Sequence, residues 1–250
     1  MNKLEKNLIA FLFLFIIVLG STSILVKGNQ KIQPIFSVDR DDKAVALTFD
    51  INWAENDSLI SILDVLDKYN VKGTFFLMGR WINYSEENLE KLKEINKRGH
   101  EIGNHSYIHP MFTKITPERM IEEVKKTEDI IYEHTGTKTK LFRCPSGDYN
   151  DSVIKTVDKL GYNTIQWDVD SVDWKEIGQE AEYNRVINKI KSGSIVLFHN
   201  NAKYTPKNLP IIIENLIKEG YKFLTVGDLI YKENFIIDNN GVQKRLNNNS

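Results

Sequence analysis

The stretch A-V-A-L-T-F-D (residues 44–50) decides the fold, because a short apolar run ends on a carboxylate. It reads as a strand, and residues 57–69 follow it with Leu59, Ile60, Ile62, Leu63 and Leu66 at helical spacing. The alternation then repeats along the chain. Residues 74–78, 101–103, 140–143, 164–167, 194–198 and 222–225 read as further strands. Helices are expected over 86–98, closed by Gly99, and from a Thr116 cap through His134, with Pro117 in the first turn and Gly136 beyond the end. Others are expected over 151–160, 180–191 and 207–218, and a last short one starts near Val226. Seven strands, nearly all followed by helices, imply an α/β fold with a parallel sheet and outer helices. Asp50, His105, Arg143, Asp170, Asp173 and His199 all stand at or just after strand ends. A barrel gathers such ends into one ring, whereas an open sheet spreads them. The expectation is therefore an incomplete seven-stranded barrel with its chemistry at the carboxyl-terminal rim.

Composition bounds the partners. A hydrophobic fraction of 41% excludes a mostly disordered chain, and 33 basic against 34 acidic residues provide no global field for nucleic acid. The single cysteine, Cys144, excludes an intrachain disulfide and a multi-cysteine zinc site. With five histidines, any metal site must be built from imidazoles and carboxylates.

The first block differs from the rest. Lys3 and Lys6 precede residues 8–26, which carry no charge and are rich in Leu, Ile, Phe and Val. As a helix this run is about 28 Å long, close to the ~30 Å of a bilayer's hydrocarbon. The expectation is a cytoplasmic tail and signal-anchor helix over 1–27, a polar linker over 28–42, a catalytic domain over 43–232 and a flexible tail over 233–250. The catalytic domain then lies outside the cytoplasm at the cell membrane, or is secreted if the chain is cleaved near Gly20–Ser23.

Several side chains have the chemistry of a hydrolytic site. His105 and His109 sit four residues apart, a spacing that puts both rings on one face, where they are metal ligands or ordinary histidines. Asp50 is a general base, a metal ligand or a strand-end cap. Arg143 can hold a carboxylate bidentately and keep it ionised. The Pro145–Gly147 turn can aim backbone N–H groups at an oxyanion. Cys144 has no activating base nearby and reads as buried and inert. Asp173 can hydrogen-bond and charge a histidine, Trp174 can wall a small pocket or stack on a sugar, and His199 can protonate a leaving amine.

The motifs T-F-D-I-N-W (48–53), H-S-Y-I-H (105–109), R-C-P-S-G (143–147), D-S-V-D-W (170–174) and L-F-H (197–199) follow one another in an order that resembles the polysaccharide deacetylases, carbohydrate esterase family 4. The resemblance covers residues 43–230 and implies a distorted seven-stranded (β/α) barrel that removes N-acetyl groups from peptidoglycan or chitin-like glycans. It implies Asp50 as catalytic base, Arg143 as its positioner, His199 as general acid and Asp173 as the residue that orients and charges it. It also implies His105 and His109 as ligands of a divalent ion, zinc by preference, Trp174 and Leu197 as acetyl-pocket walls, and the Ser146 N–H as an oxyanion donor. The family's third ligand is an aspartate directly after the base, and this chain has Ile51 there. Asn52 then supplies a weaker oxygen, Asp50 moves onto the metal, or the site holds metal poorly. T-F-D-I-N-W with an N-terminal anchor is similar to the sporulation-associated branch. The alternative is an anchored glycan-binding or spore-envelope protein with the same fold and little turnover. A serine hydrolase is disfavoured by the lack of a G-x-S-x-G elbow.

Overall fold

A computed structural model describes residues 32–246. The expected membrane anchor and the last four residues lie outside them, and among the described residues no helix is long and apolar enough to cross a membrane. Strand β1 spans Ser37–Val38, β2 Ala44–Ile51, β3 Thr74–Leu77, β4 Glu101–Asn104 and β5 Leu141–Phe142. Then come β6 (Asn163–Thr164), β7 (Val169–Asp170), β8 (Ile195–His199), β9 (Lys222–Phe223), β10 (Phe235–Ile237) and β11 (Val242–Arg245). The helices are α1 (Leu59–Lys68), α2 (Gly79–Ile82), α3 (Glu86–Lys97), α4 (Pro117–Thr135), α5 (Asp151–Lys159), α6 (Gln179–Ile187), α7 (Thr205–Lys218) and α8 (Val226–Leu229).

The main sheet runs β6-β5-β4-β3-β2-β8-β7, and all its pairings are parallel. It curls into a half-barrel. Every residue of β2 is buried, because this central strand is covered on both faces. Leu47, Phe49 and Ile51 face the layer that includes Leu59, Ile62 and Leu66 of α1 and Leu209 and Ile213 of α7. Ala44 and Ala46 join a second cluster with Phe76, Leu141 and Ile195. Each fully buried Leu, Ile or Phe contributes on the order of 2 kcal/mol, so this layered core supplies most of the driving force.

Helix boundaries follow the local signals. Thr116 accepts from the Arg119 N–H at the start of α4, Pro117 occupies its first turn, and Gly136 ends it in the left-handed conformation at φ 68°.

Three expectations need correction. The strand expected over 164–167 is instead two short strands at opposite edges of the sheet. No ladder joins β6 to β7, and residues 165–168 carry the chain across the gap. The Asp168 carboxylate holds the crossing by accepting from the Ile195 N–H at 2.9 Å and the Ser194 hydroxyl at 3.0 Å. Secondly, the expected linker is packed into the fold from Ile35 onward. The Ile35 N–H donates to Thr164 O, the Gln166 N–H donates to Ile35 O, and Ile35 and Val38 are buried. Val38 approaches so closely that a Cβ on Gly193, at φ 80°, would collide with its carbonyl.

The expected flexible tail is the third. Within 233–246 it forms a hairpin, β10 against β11, and β1 adds to β11 in parallel. The Asn-rich composition resembles a frayed end, but Asn239-Asn240-Gly241 has the chemistry of a hairpin turn. Gln243 fixes the hairpin by exchanging hydrogen bonds with the Tyr231 backbone at 2.8 and 2.9 Å.

Candidate active site

Asp50 and His199 are register partners at the ends of adjacent strands β2 and β8. In parallel strands such partners point to the same face. With His105, His109, Ser146, Trp174 and Leu197, they line one cavity of about 550 Å³, which Asn52, Trp167, Asp170 and Asn201 also border. Arg143 lies beneath it, fully buried.

The Asp50 side of the cavity is organised by Arg143. One guanidinium nitrogen, Nη1, donates to Asp50 Oδ1 at 2.8 Å and to Thr48 Oγ1 at 2.9 Å, and Nη2 donates to Gln166 O at 3.1 Å. The pairing is single rather than bidentate, because the second nitrogen is spent on the chain crossing at Gln166. The ring of Phe76 lies 4.0 Å beneath the guanidinium, and Gly103 leaves room for that ring, since a Cβ there would stand 2.5 Å from it. Burial pushes the Asp50 carboxyl up, but Arg143, His105 and His199 more than offset it and hold the group below its ordinary range.

The two imidazoles meet in a turn. Residues 105–109 are irregular, with Ser106 and His109 at φ of 67° and 61°, and both rings still face one cavity, as the four-residue spacing suggested. The rings approach to 4.9 Å between centroids. Glu123 of α4, which sequence reasoning missed, holds this turn by accepting from the backbone N–H groups of Tyr107 and Ile108, each at 2.8 Å. Asn104 accepts from the Ser106 N–H, and Ser106 Oγ accepts from the His109 N–H. His105 Nδ1 bonds to Arg143 O at 2.9 Å, which leaves Nε2 facing Asp50 Oδ2 at 3.6 Å. Burial lowers both histidines, His105 to about 4, so both are neutral nitrogen donors near pH 7.

That donor set stops short of a complete three-ligand site. Among the described residues no three His, Cys, Asp or Glu side chains converge in a metal-holding group. Ile51 is buried in the core layer with Leu47 and Phe49, on the face of β2 opposite Asp50. The Asn52 backbone is tied to Asn200, whose Oδ1 accepts from Asn52 N–H while its Nδ2 donates to Asn52 O. The residues present therefore do not fit the full metal triad that the resemblance implies.

The His199 side is wired more completely. His199 Nδ1 pairs with Asp173 Oδ1 at 2.7 Å, and Asp173 Oδ2 accepts from the His199 N–H at 2.7 Å and from Thr205 Oγ1 at 2.9 Å. The Trp174 N–H donates to Asp173 Oδ1. Burial lowers the imidazole, but the Asp173 bond and the negative charges of Asp173, Asp50 and Asp170 outweigh it and hold the group above its ordinary value. Val172, at φ 55°, turns the chain so that Asp173 points inward, a conformation a β-branched residue rarely adopts. Behind Asp173 lies buried Glu182, within 3.2 Å of the same Thr205 hydroxyl and raised by burial to about 7. No motif announced Thr205 or Glu182; only their packing beside Asp173 singles them out.

The remaining residues divide clearly. Ser146 lines the cavity from a turn at φ 56°, and Leu197 forms its apolar wall. Trp174 stands at the mouth, 56% exposed. Cys144 is buried with its thiol pushed up by desolvation, so it remains a thiol. His100 is structural: its Nδ1 accepts from the Gly73 N–H.

Comparison with known proteins agrees with this geometry. The family model described as polysaccharide deacetylase matches residues 37–165. The uncharacterized protein YlxY of Bacillus subtilis is 36% identical over 79% of this chain, which spans 60% of that relative's length. The peptidoglycan-N-acetylmuramic acid deacetylase PdaA of the same organism is 33% identical, over 82% of this chain and 78% of its own. Among solved structures, BA3943 of Bacillus anthracis, described as a CE4 family pseudoenzyme, superposes with a TM-score of 0.74 at 35% identity, covering 85% of this chain and 70% of its own. A BA3943 mutant described as having restored enzymatic activity superposes equally well. A buried aspartate–arginine pair facing an aspartate-held histidine, on a parallel half-barrel with these relatives, makes the chain a member of the polysaccharide deacetylase family.

Proposed function

We propose that the protein hydrolyses N-acetyl groups on amino sugars of a cell-wall glycan, peptidoglycan foremost, giving acetate and a free amine. The register pairing of Asp50 with His199 over one cavity carries this reading. Asp50, held ionised by Arg143, takes a proton from water as its oxygen attacks the amide carbonyl. The Ser146 N–H, on its left-handed turn, stabilises the resulting oxyanion. His199, held protonated by Asp173, gives its Nε2 proton to the departing nitrogen as the C–N bond breaks. Leu197 and Trp174 enclose the acetyl methyl. The chain's own groups carry each of these steps, since the donor set for a metal is incomplete.

Acetate release from peptidoglycan by the purified chain tests the reading, with Asp50→Asn and His199→Ala as controls. Activity unchanged in both variants overturns it. The apolar run over 8–26, with Lys3 and Lys6 before it, supports a membrane-anchored, extracytoplasmic location, and membrane fractionation checks this.

A second reading is favoured by Ile51, whose burial removes a ligand position, and by the likeness to a pseudoenzyme. In it the cavity binds glycan with little turnover. Glycan binding without acetate release distinguishes it.

A further inference from the structure

Behind the proposed acid lies a buried carboxyl group that the mechanism leaves without a role. Glu182 of α6 is 1% exposed, as is Asp173, and Thr205 in the first turn of α7 is fully buried beside both. The Thr205 hydroxyl stands 2.9 Å from Asp173 Oδ2 and 3.2 Å from Glu182 Oε1. It has one proton to give, so it satisfies only one of the two carboxylates at a time. Asp173 Oδ2 also accepts from the His199 N–H, whereas Glu182 Oε2 is buried with no hydrogen-bond partner among the described residues. Two buried anions sharing one donor are costly, and a proton on Glu182 removes the conflict. Its Oε1–H then donates to Thr205 Oγ1, and Thr205 donates to Asp173.

The surroundings do not fix Glu182 in its ionised form. Asp173 faces it from the turn after β7, Thr205 and Asn208 face it from α7, and His199 stands beyond Asp173. On its own helix, Arg185 turns to Asp170, donating from Nε to the carbonyl at 3.3 Å. His199 in turn faces Asp50 and His109 across the cavity, and Asp170 beside Asp173. Burial raises Glu182 most, Asn208 and Thr205 pull it back, Asp173 raises it again, and it stands at about 7.

We infer that Glu182 is a positioning residue for His199, acting through Thr205 and Asp173. Protonated, it commits the Thr205 hydroxyl to Asp173. On losing its proton to solvent it draws that hydroxyl to itself, so Asp173 loses a donor and a second anion stands behind it. Both changes strengthen the hold on the imidazolium proton and keep the acid charged to higher pH. The inference rests on the reading of His199 as the acid, while the linkage itself needs no turnover.

Nitrogen NMR on the full chain with isotope-labelled histidine tests it, the His199 signal being assigned by its absence in His199→Ala. In the wild type the His199 titration should be shallow, because Glu182 loses its proton in the same range. Glu182→Gln keeps a donor to Thr205 but cannot ionise, so the titration should sharpen and its midpoint fall by about one pH unit. The alkaline limb of acetate release should move with it, with the acid limb and KM in place. Thermal melting checks the fold, and Glu182→Met should give the same fall in midpoint if the Gln variant does not fold. A His199 titration identical in wild type and variants, or a loss of thermal stability alone, overturns the role. Glu182-dependent titration without acetate release leaves the linkage standing and removes the deacetylase reading. Acetate release whose pH profile ignores Glu182→Gln does the reverse.

Discussion

The two sides of the cavity are built to different standards. On the His199 side, each Asp173 oxygen has two partners and a second carboxyl group stands behind them. On the Asp50 side, one guanidinium bond holds the carboxylate and two imidazoles stand without a third ligand. The His199 side depends only on groups that the chain supplies, whereas on the Asp50 side position 51, which could have carried a further carboxylate, holds an Ile51 turned into the core.

The largest expected effects test whether both halves serve turnover. Asp50→Asn and His199→Ala should each lower acetate release on the order of 10³-fold, read by enzymatic acetate assay. A loss confined to His199→Ala would show that the Asp50 half is no longer used. Next comes stability. Arg143→Met leaves Asp50 buried without its cation and should cost about 3–5 kcal/mol in urea unfolding. A near-neutral result would mean that Asp50 is already protonated.

Ile51→Asp sharpens the contrast further. A carboxyl placed among Leu47, Phe49 and Leu59 should destabilise the fold by about 2 kcal/mol or more without adding a zinc equivalent, measured by melting and metal titration. Gain of one tight zinc would show that the strand end turns the introduced carboxylate into the cavity and that the two halves differ by one side chain.

The smallest effect is a displaced pH profile. In the proposed mechanism turnover needs Asp50 ionised, above its lowered pKa, and His199 protonated, below its raised one. Asp173→Asn removes the main charge that raises His199, so the alkaline limb should move to lower pH while the acid limb stays. Stability has the same signs. The Asp50 contribution is present above the ordinary carboxylate pKa and lost as pH falls through the lowered value. The His199 contribution is present below 6.5 and lost as pH rises through the raised value.

Much of the fold could be read locally. Thr116, Pro117 and Gly136 marked the ends of α4, and the apolar spacing of residues 59–66 marked α1, because caps and periodic burial are properties of neighbours in sequence. The division of residues 163–170 between two sheet edges was not legible, since a strand's partner is chosen by distant segments. The docking of 35–38 and of the hairpin was hidden for the same reason: a polar spacer and an Asn-rich tail look unstructured until Gly193 and Tyr231 provide their partners. Glu123 and Glu182 carried no signal, because a buried carboxylate on an amphipathic helix is identified only by what it meets.

By itself, the sequence determined which side chains could do chemistry, that strands would end on them, and that helices would alternate with those strands. Tertiary structure decided that Asp50 and His199 would be register partners, that Arg143 would divide its donors between a carboxylate and a chain crossing, and that Ile51 would face the core. The physical reason is range. Helical and strand periodicity is written over a few residues, whereas a hydrogen bond between residues 93 apart, such as Arg143 to Asp50, exists only once the sheet has formed.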